Sequence, residues 1–566
     1  MKIGLYMAYA PYIKEFTLKK EGLGRYLSFL LKAFGDNGDE VVIACPKWCI
    51  EAIDELMEEN NIARDNIEFI VPKTDPALYS LYRMFKRKKR QDKRKSKGKM
   101  KLAAYKSLGK IIDSLFSTFS IFKVIMFIFV IAIVAIICTP IVILLGLLTI
   151  IYVGIKKILF RLLGKDVADG GIKRQIKKLT MNVSFLHRIY MLLRGMHLRK
   201  RFQEEVRKAS ALEVIRKANF MKEKPDIWYC HTAFWTEFNN IKGAKVVCVP
   251  DLVTVEFPFP FSKGEFIEAT ENVRRTIKNN KYFITYCDYL KNSLLINQFG
   301  KKSDDIVAIE HAQNNMLPFI DLREYFDGKG FKGEVNGCFV QDVIFKGLLG
   351  HMICKNEYLS DGIPHNTINI RDMDYLFYPS QSRGNKNMFT LLRAYKYILR
   401  EKNIPIKLFL TCNYAEDDEL IEFIYENRLQ YDILSFNNIS NQELAALYYG
   451  AKLVVNPTFY EGGFPFTFGE GMSVGTPSIM SDIPQVREVL QKYGIDQHEQ
   501  WLFDSFSYID LSKKIIFGLE NRELLYKEQK HVYDLLKMRT WNDVGKEYVK
   551  AFQYFIRKET ERTGER

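Results

Sequence analysis

The sequence predicts an α/β chain with two doubly wound parallel sheets, and three observations carry the prediction. Short apolar runs alternate with helical patterns along most of the 566 residues. The runs fall into two groups, separated by an irregular stretch at about residues 316–370. Many runs are apolar at successive positions, as expected of parallel strands covered on both faces. Hydrophobic residues make up 47% and charged residues 27%, which excludes a disordered chain. The nine cysteines are scattered and form no CxxC pair. That excludes a disulfide framework and a zinc ribbon, and it points to a reducing compartment.

The first group reads as seven strands: KIGLYMAYA, EVVIACP, IEFIVP, DIWYCH, KVVCVPDL, YFITYCDY and IVAIEH. The N-terminal MKIGLYMAYAPY has one Lys and only a short apolar run, so it reads as the first strand rather than a signal peptide. The second group gives six strands: YLFYPS, IKLFLTC, DILSF, KLVVNP, PSIMSD and WLFD. Helical patterns lie between, such as YLSFLLKAF after Gly24 and MFTLLRAYKYIL after Asn387. The first group breaks at about residue 75 and resumes at about residue 225. The expected division is residues 1–75 and 216–315 for one unit, with 76–215 inserted inside it. An irregular connection follows at 316–370, then a second unit at 371–535 and a closing helix at 536–566.

The net charge is +16, and its placement says more than its size. Arg83 to Lys208 holds about 30 Lys and Arg against about 6 Asp and Glu, so the rest of the chain is net acidic. Inside that segment, Val124–Ile155 runs 32 residues without a charge. As one helix it would be about 48 Å long, against about 30 Å of hydrocarbon. Pro140 lies at its midpoint and kinks a helix. The expectation is a membrane-inserting helical hairpin at 124–155, embedded from the cytoplasmic face of the cell membrane. Both basic flanks would then stay cytoplasmic, against anionic lipids. A kinked single span and a buried helix pair are the alternatives. A hairpin keeps both halves of the first sheet on one side of the bilayer. The apolar run beside the basic stretch argues against a nucleic-acid partner.

Two facing Rossmann-like units create a cleft at the carboxyl ends of their sheets, where ligands bind. Four patches fall on the loops that should line it. In EGLGRY, Gly22 and Gly24 allow backbone to approach a ligand ahead of a helix N-terminus; a plain strand-to-helix turn is the alternative. In SRGNKN, Arg383 and Lys386 precede a helix and suit a diphosphate. In NPTFYEGGFPFTFGEGMSVGTP, Glu461 and Glu470 bracket Gly462, Gly463, Phe464 and Pro465, and a helix is expected from about Phe468. These carboxylates can accept hydrogen bonds from sugar or ribose hydroxyls. Lastly, His231 and Asp251 end two strands on the cleft side.

The third patch resembles the signature of the family 4 retaining glycosyltransferases, which have the GT-B fold: Glu461, Gly462 to Pro465, Glu470, then Met472 to Pro477. Glu21–Tyr26 is similar to the family's N-terminal glycine loop, and Ser382–Asn387 to its phosphate grip. Eight residues separate the two acids, one more than is common. Pro250 precedes Asp251 where His is frequent, and Gln381 stands where a phosphate-binding Arg is usual. The resemblance implies sugar transfer, with retention, from a UDP- or GDP-linked donor on the second unit, with no cofactor and no metal. It implies catalytic roles for Glu461, Arg383 and Lys386. Gly462, Gly463, Phe464, Pro465, Glu470, Gly22 and Gly24 would hold the donor. His231 and Asp251 would face the acceptor. The membrane insert suggests a lipid-linked or glycolipid acceptor, in surface polysaccharide or lipopolysaccharide synthesis. A catalytically silent membrane scaffold or sensor on the same fold is the other reading.

Overall fold

The structure is a computed structural model. It describes residues 1–11, 18, 22–80, 116–126, 129, 198–258, 263–320, 373–412, 414, 417–436, 439–495 and 499–564. The first sheet contains β1 (Lys2–Tyr6), β2 (Glu40–Ala44), β3 (Ile67–Ile70), β4 (Ile227–Cys230), β5 (Lys245–Val249), β6 (Tyr282–Thr285) and β7 (Ile306–Ala308). Their order is β3-β2-β1-β4-β5-β6-β7. The second contains β8 (Tyr375–Tyr378), β9 (Lys407–Leu410), β10 (Ile433–Ser435), β11 (Leu453–Asn456), β12 (Ser478–Ser481) and β13 (Leu502–Phe503), in the order β10-β9-β8-β11-β12-β13. Among the described residues every strand pairing is parallel.

Each expected strand forms inside its apolar run, and most of the strands are buried from both faces, β3 and β7 at the first sheet's edges less so. Ile3, Val42, Ile227, Val246, Phe283 and Ile284 in the first sheet are fully covered, as are Leu376, Leu408 and Ile479 in the second. Each such side chain contributes about 1.5–3 kcal/mol on leaving water. β1 pairs with β4 in register Ile3↔Ile227, so the two halves of the first unit meet across the whole insertion. In each sheet the strand order reverses at the pair joined across the middle, β1/β4 and β8/β11. These are the switch points where crevices open beyond the strands' carboxyl ends.

Two helices carry more than the sequence suggested. The helix Leu198–Phe220 spans the expected boundary at residue 215. It buries Val206, Ala211, Val214, Ile215 and Ala218 in the first unit's core. Arg207 fixes it by bonding both carboxylate oxygens of Glu237, at 3.1 and 2.9 Å, and both of Glu204. The last helix, Trp541–Thr563, begins in a capping box between Thr540 and Asp543. It returns to the first lobe, where Tyr548 and Phe552 pack on Phe34 and Tyr229.

The apolar run 124–155 lies outside the described residues apart from Val124, Ile125, Met126 and Phe129. Residues 121–126 are helical. Among the described residues no helix is long and apolar enough to cross a membrane. Of the expected connection, residues 316–320 are described and the rest is not; Leu317–Phe319 forms a short turn.

Candidate functional site at the gap between the lobes

The carboxyl ends of the two sheets face each other and touch. The Leu252 N–H, after β5, donates to the Tyr460 hydroxyl at 3.2 Å. Glu488 of the second lobe accepts from the backbone N–H groups of Asp288 and Tyr289, each at 2.7 Å. Phe257 stacks on Phe459 with ring centroids 6.0 Å apart.

The cationic turn after β8 is built rigidly. Gly384–Lys386 makes one 3-10 turn, and Asn387 takes a left-handed φ of 53° that launches the helix Met388–Lys396. The Asn387 side-chain amide donates to the carbonyls of Pro457 and Ser505, at 2.8 and 2.7 Å. Asn tolerates this φ better than most residues. The Tyr378 hydroxyl donates to the Lys386 carbonyl at 2.8 Å. The Phe459 N–H donates to the Asn385 carbonyl at 2.9 Å, tying this turn to the Glu461 loop. Consequently Lys386 Nζ sits 2.5 Å from Glu461 Oε1.

The Glu461 loop lies against the first lobe. A Cβ on Gly462 would stand 2.1 Å from the Pro250 carbonyl oxygen, so only glycine allows this approach. A Cβ on Gly463 would lie 3.2 Å from His311 Nε2. The following helix runs Phe466–Ser473, two residues earlier than the expected start at Phe468. Pro465, with φ −61°, sets the entry and cannot itself donate to the turn before it. Phe464 is buried and packs edge-on to Phe468. The helix carries Glu470 inward, 3% exposed, where Arg25, Asn314 and Tyr448 donate to it.

On the first lobe, Gly22 and Gly24 fall within the first turn of the helix Gly22–Asp36 rather than ahead of it. A Cβ on Gly24 would meet the Leu18 carbonyl oxygen at 2.1 Å. Asp251 is partly buried at the end of β5. Desolvation raises its carboxyl above the ordinary value, against the pull of Arg383 and Lys386 and with a push from Glu461. Asp251, Arg383, Lys386 and Glu461, drawn from three loops of two lobes, therefore share one electrostatic site. His231 directly follows β4 and is buried. Its Nε2 is hydrogen bonded to the Tyr9 hydroxyl at 2.9 Å, and its ring lies edge-on to Trp235 at 4.8 Å. Burial lowers its pKa to about 3, so the imidazole is neutral and held rather than poised as a base. The Tyr9 carbonyl in turn accepts from Trp48 Nε1 at 3.0 Å. Among the described residues no group of three His, Cys, Asp or Glu is arranged to hold a metal ion.

With that geometry in place, comparison with known proteins is informative. Residues 366–532 match the family described as Glycosyl transferases group 1. The match falls on the second lobe, over strands β8 to β13. The two facing parallel sheets fit the GT-B arrangement. Among curated proteins, the chain is 30% identical over 123 residues to O-antigen chain mannosyltransferase B of Escherichia coli, covering 21% of this chain and 32% of that one. It is 23% identical over 266 residues to an uncharacterized glycosyltransferase of Methanocaldococcus jannaschii, covering 45% of this chain and 65% of that one. The chain thus spans less than two thirds of either relative. Among solved structures, a glycosyltransferase from Rickettsia africae aligns over 98% of both chains at 12% identity with a TM-score of 0.47. Anabaena HepE in complex with UDP-glucose aligns over 99% of this chain and 100% of that one, at 11% identity and a TM-score of 0.49.

The sequence reading missed four groups that shape the site. Arg25, Asn314 and Tyr448 surround Glu470, and Tyr9 holds His231. Arg25 adjoins the glycine turn and could have been noticed there. The others carry no local pattern.

Proposed function

We propose that the protein is a retaining, metal-independent hexosyltransferase that uses a UDP- or GDP-linked sugar. The observation that carries this reading is the convergence of Arg383, Lys386, Glu461 and Asp251 at the lobe gap, beside a group 1 glycosyl transferase domain. Arg383 and Lys386 take the diphosphate, and their fixed charges stabilise it as it departs. Glu461 holds the donor sugar with the backbone of Gly462 to Pro465, and Glu470 serves the ribose. In the transfer the bond from the anomeric carbon to the diphosphate oxygen breaks, through an oxocarbenium-like state. The acceptor oxygen bonds that carbon on the same face. Asp251 orients the acceptor hydroxyl and takes its proton. His231, neutral and fixed, binds the acceptor rather than titrating. Closure of the lobes excludes water.

The acceptor we infer is lipid-linked, met at the cytoplasmic face of the cell membrane, in surface polysaccharide or glycolipid synthesis. Support comes from the charge-free run 124–155 and its basic flanks. Around the start of that run Phe122 is 71% exposed and Ile121, Ile125, Met126 and Phe129 are exposed as well, while Val124 is buried. An O-antigen mannosyltransferase among the relatives points the same way. The test is a panel of nucleotide sugars with purified protein and membrane extract, scored by nucleoside diphosphate release. Release that depends on the extract and disappears in Glu461→Ala and Arg383→Ala supports the reading. No release with any donor, or release untouched by both substitutions, refutes it.

A further inference from the structure

Glu470 is occupied more fully than a carboxylate awaiting a ligand. Its Oε1 accepts from Arg25 at 2.5 Å and from Asn314 Nδ2 at 2.9 Å, and its Oε2 accepts from the Tyr448 hydroxyl at 2.5 Å. A carboxylate offers about four lone-pair sites, so about one remains, and the side chain has almost no contact with water. A ribose diol needs two acceptor positions. One donor must therefore leave before a ribose can settle on this group.

The three donors are not equally able to leave. Asn314 and Tyr448 are buried, and Tyr448 lies on the helix Asn441–Gly450 of Glu470's own lobe. Arg25 is 33% exposed. It reaches across from the other lobe, from the first turn of the helix Gly22–Asp36. Arg25 has the one partly exposed side chain of the three, and a long side chain of this kind can swing outward at the least cost in packing. Burial by itself would push the Glu470 carboxyl up, and Arg25, Tyr448 and Asn314 together hold it below the ordinary value. Glu470 is thus kept charged, with the Arg25 guanidinium on one of its oxygens.

We propose that Arg25 is a displaceable clasp on Glu470, standing in for the donor's ribose across the lobe gap and giving way when a nucleoside diphosphate binds. This rests on the reading of Glu470 as the ribose ligand. The clasp lowers apparent nucleotide affinity by the fraction of time it is closed. It also makes this tie, one of those between the lobes, mutually exclusive with occupancy of the donor site.

Calorimetric titration of full-length wild type and Arg25→Gln with UDP and GDP, and with their 2′,3′-dideoxy forms, tests this. The expected result is about tenfold tighter binding of the ribonucleotide by R25Q, with the dideoxy nucleotide bound equally by both proteins. Weaker ribonucleotide binding by R25Q would show that Arg25 grips the nucleotide itself, and an equal gain for both nucleotides would show a general loosening; either overturns the clasp. Should R25Q fail to fold, phenylglyoxal labelling of the wild type gives the answer: Arg25 should react faster when UDP or GDP is present, and protection overturns the idea. If the wild type binds neither nucleotide, the glycosyltransferase reading fails and the clasp with it. Binding by wild type without the predicted gain removes the clasp alone.

Discussion

Glu461 and Glu470 belong to one loop and one short helix, yet they live in different worlds. Glu461 is 20% exposed and meets Lys386 at the lobe gap, among cations and backbone able to meet a donor. Glu470 is buried and bonded by two residues from outside its own lobe's loop and one from its neighbouring helix. The same side chain type, placed by the same stretch of sequence, is available for chemistry in one case and engaged in holding lobes together in the other. What separates them is a single turn of helix: Pro465 starts it early, and Glu470 is carried under the surface while Glu461 stays in the loop.

The comparison can be broken most decisively at the open end. Lys386→Ala should lower kcat/KM about 10²–10³-fold, as loss of a preorganised charge at a leaving group does, measured by diphosphate release at saturating acceptor. Lys386→Ala and Glu461→Ala together should cost less than the sum of the two in free energy, since they act as one pair. At the closed end the larger effect should be on folding. Glu470→Ala leaves the buried Tyr448 hydroxyl and Asn314 amide without their acceptor, and should destabilise the protein by about 1–3 kcal/mol in thermal or urea unfolding. Because the Glu470 carboxyl is held below its ordinary value, its contribution is complete above that value and is lost as pH falls through the lowered one. Glu461→Ala, at a partly exposed pair, should cost at most about 1 kcal/mol by the same measurement.

A smaller shift sharpens the electrostatic side. Asp251 titrates above the usual aspartate value because of burial, and Arg383 opposes that rise. If ionised Asp251 takes the acceptor's proton, activity falls as pH drops through its raised value. Arg383→Ala should then move this acid limb to higher pH, besides lowering the plateau. An acid limb that stays in place in the variant would separate Asp251 from the reaction. Gly462→Ala should destabilise by about 1–3 kcal/mol, because its new methyl group would press on the Pro250 carbonyl.

The sheets were legible in the sequence for a simple reason. Parallel strands covered on both faces must be apolar throughout, and runs such as EVVIA and IWYC are fully legible without any partner. The helix Leu198–Phe220 was not, because LRKRFQEEVRK reads as a continuation of the basic insertion although its buried face belongs to the first core. In the site, the acids and cations announced themselves by residue type and by glycines beside them. The engagement of Glu470 did not, since the Arg25 contact joins positions 445 apart and depends on how two lobes meet. His231 shows the same limit. Its place at a strand end was visible, but the Tyr9 and Trp235 contacts that hold it neutral come from folding the chain.

The most direct test of the account is a crystal structure of the full chain with UDP or GDP bound. It should place the diphosphate within hydrogen-bond reach of Arg383 and Lys386, between the lobes and beside Glu461. A nucleotide seated away from that gap, or one whose diphosphate meets neither cation, would contradict it.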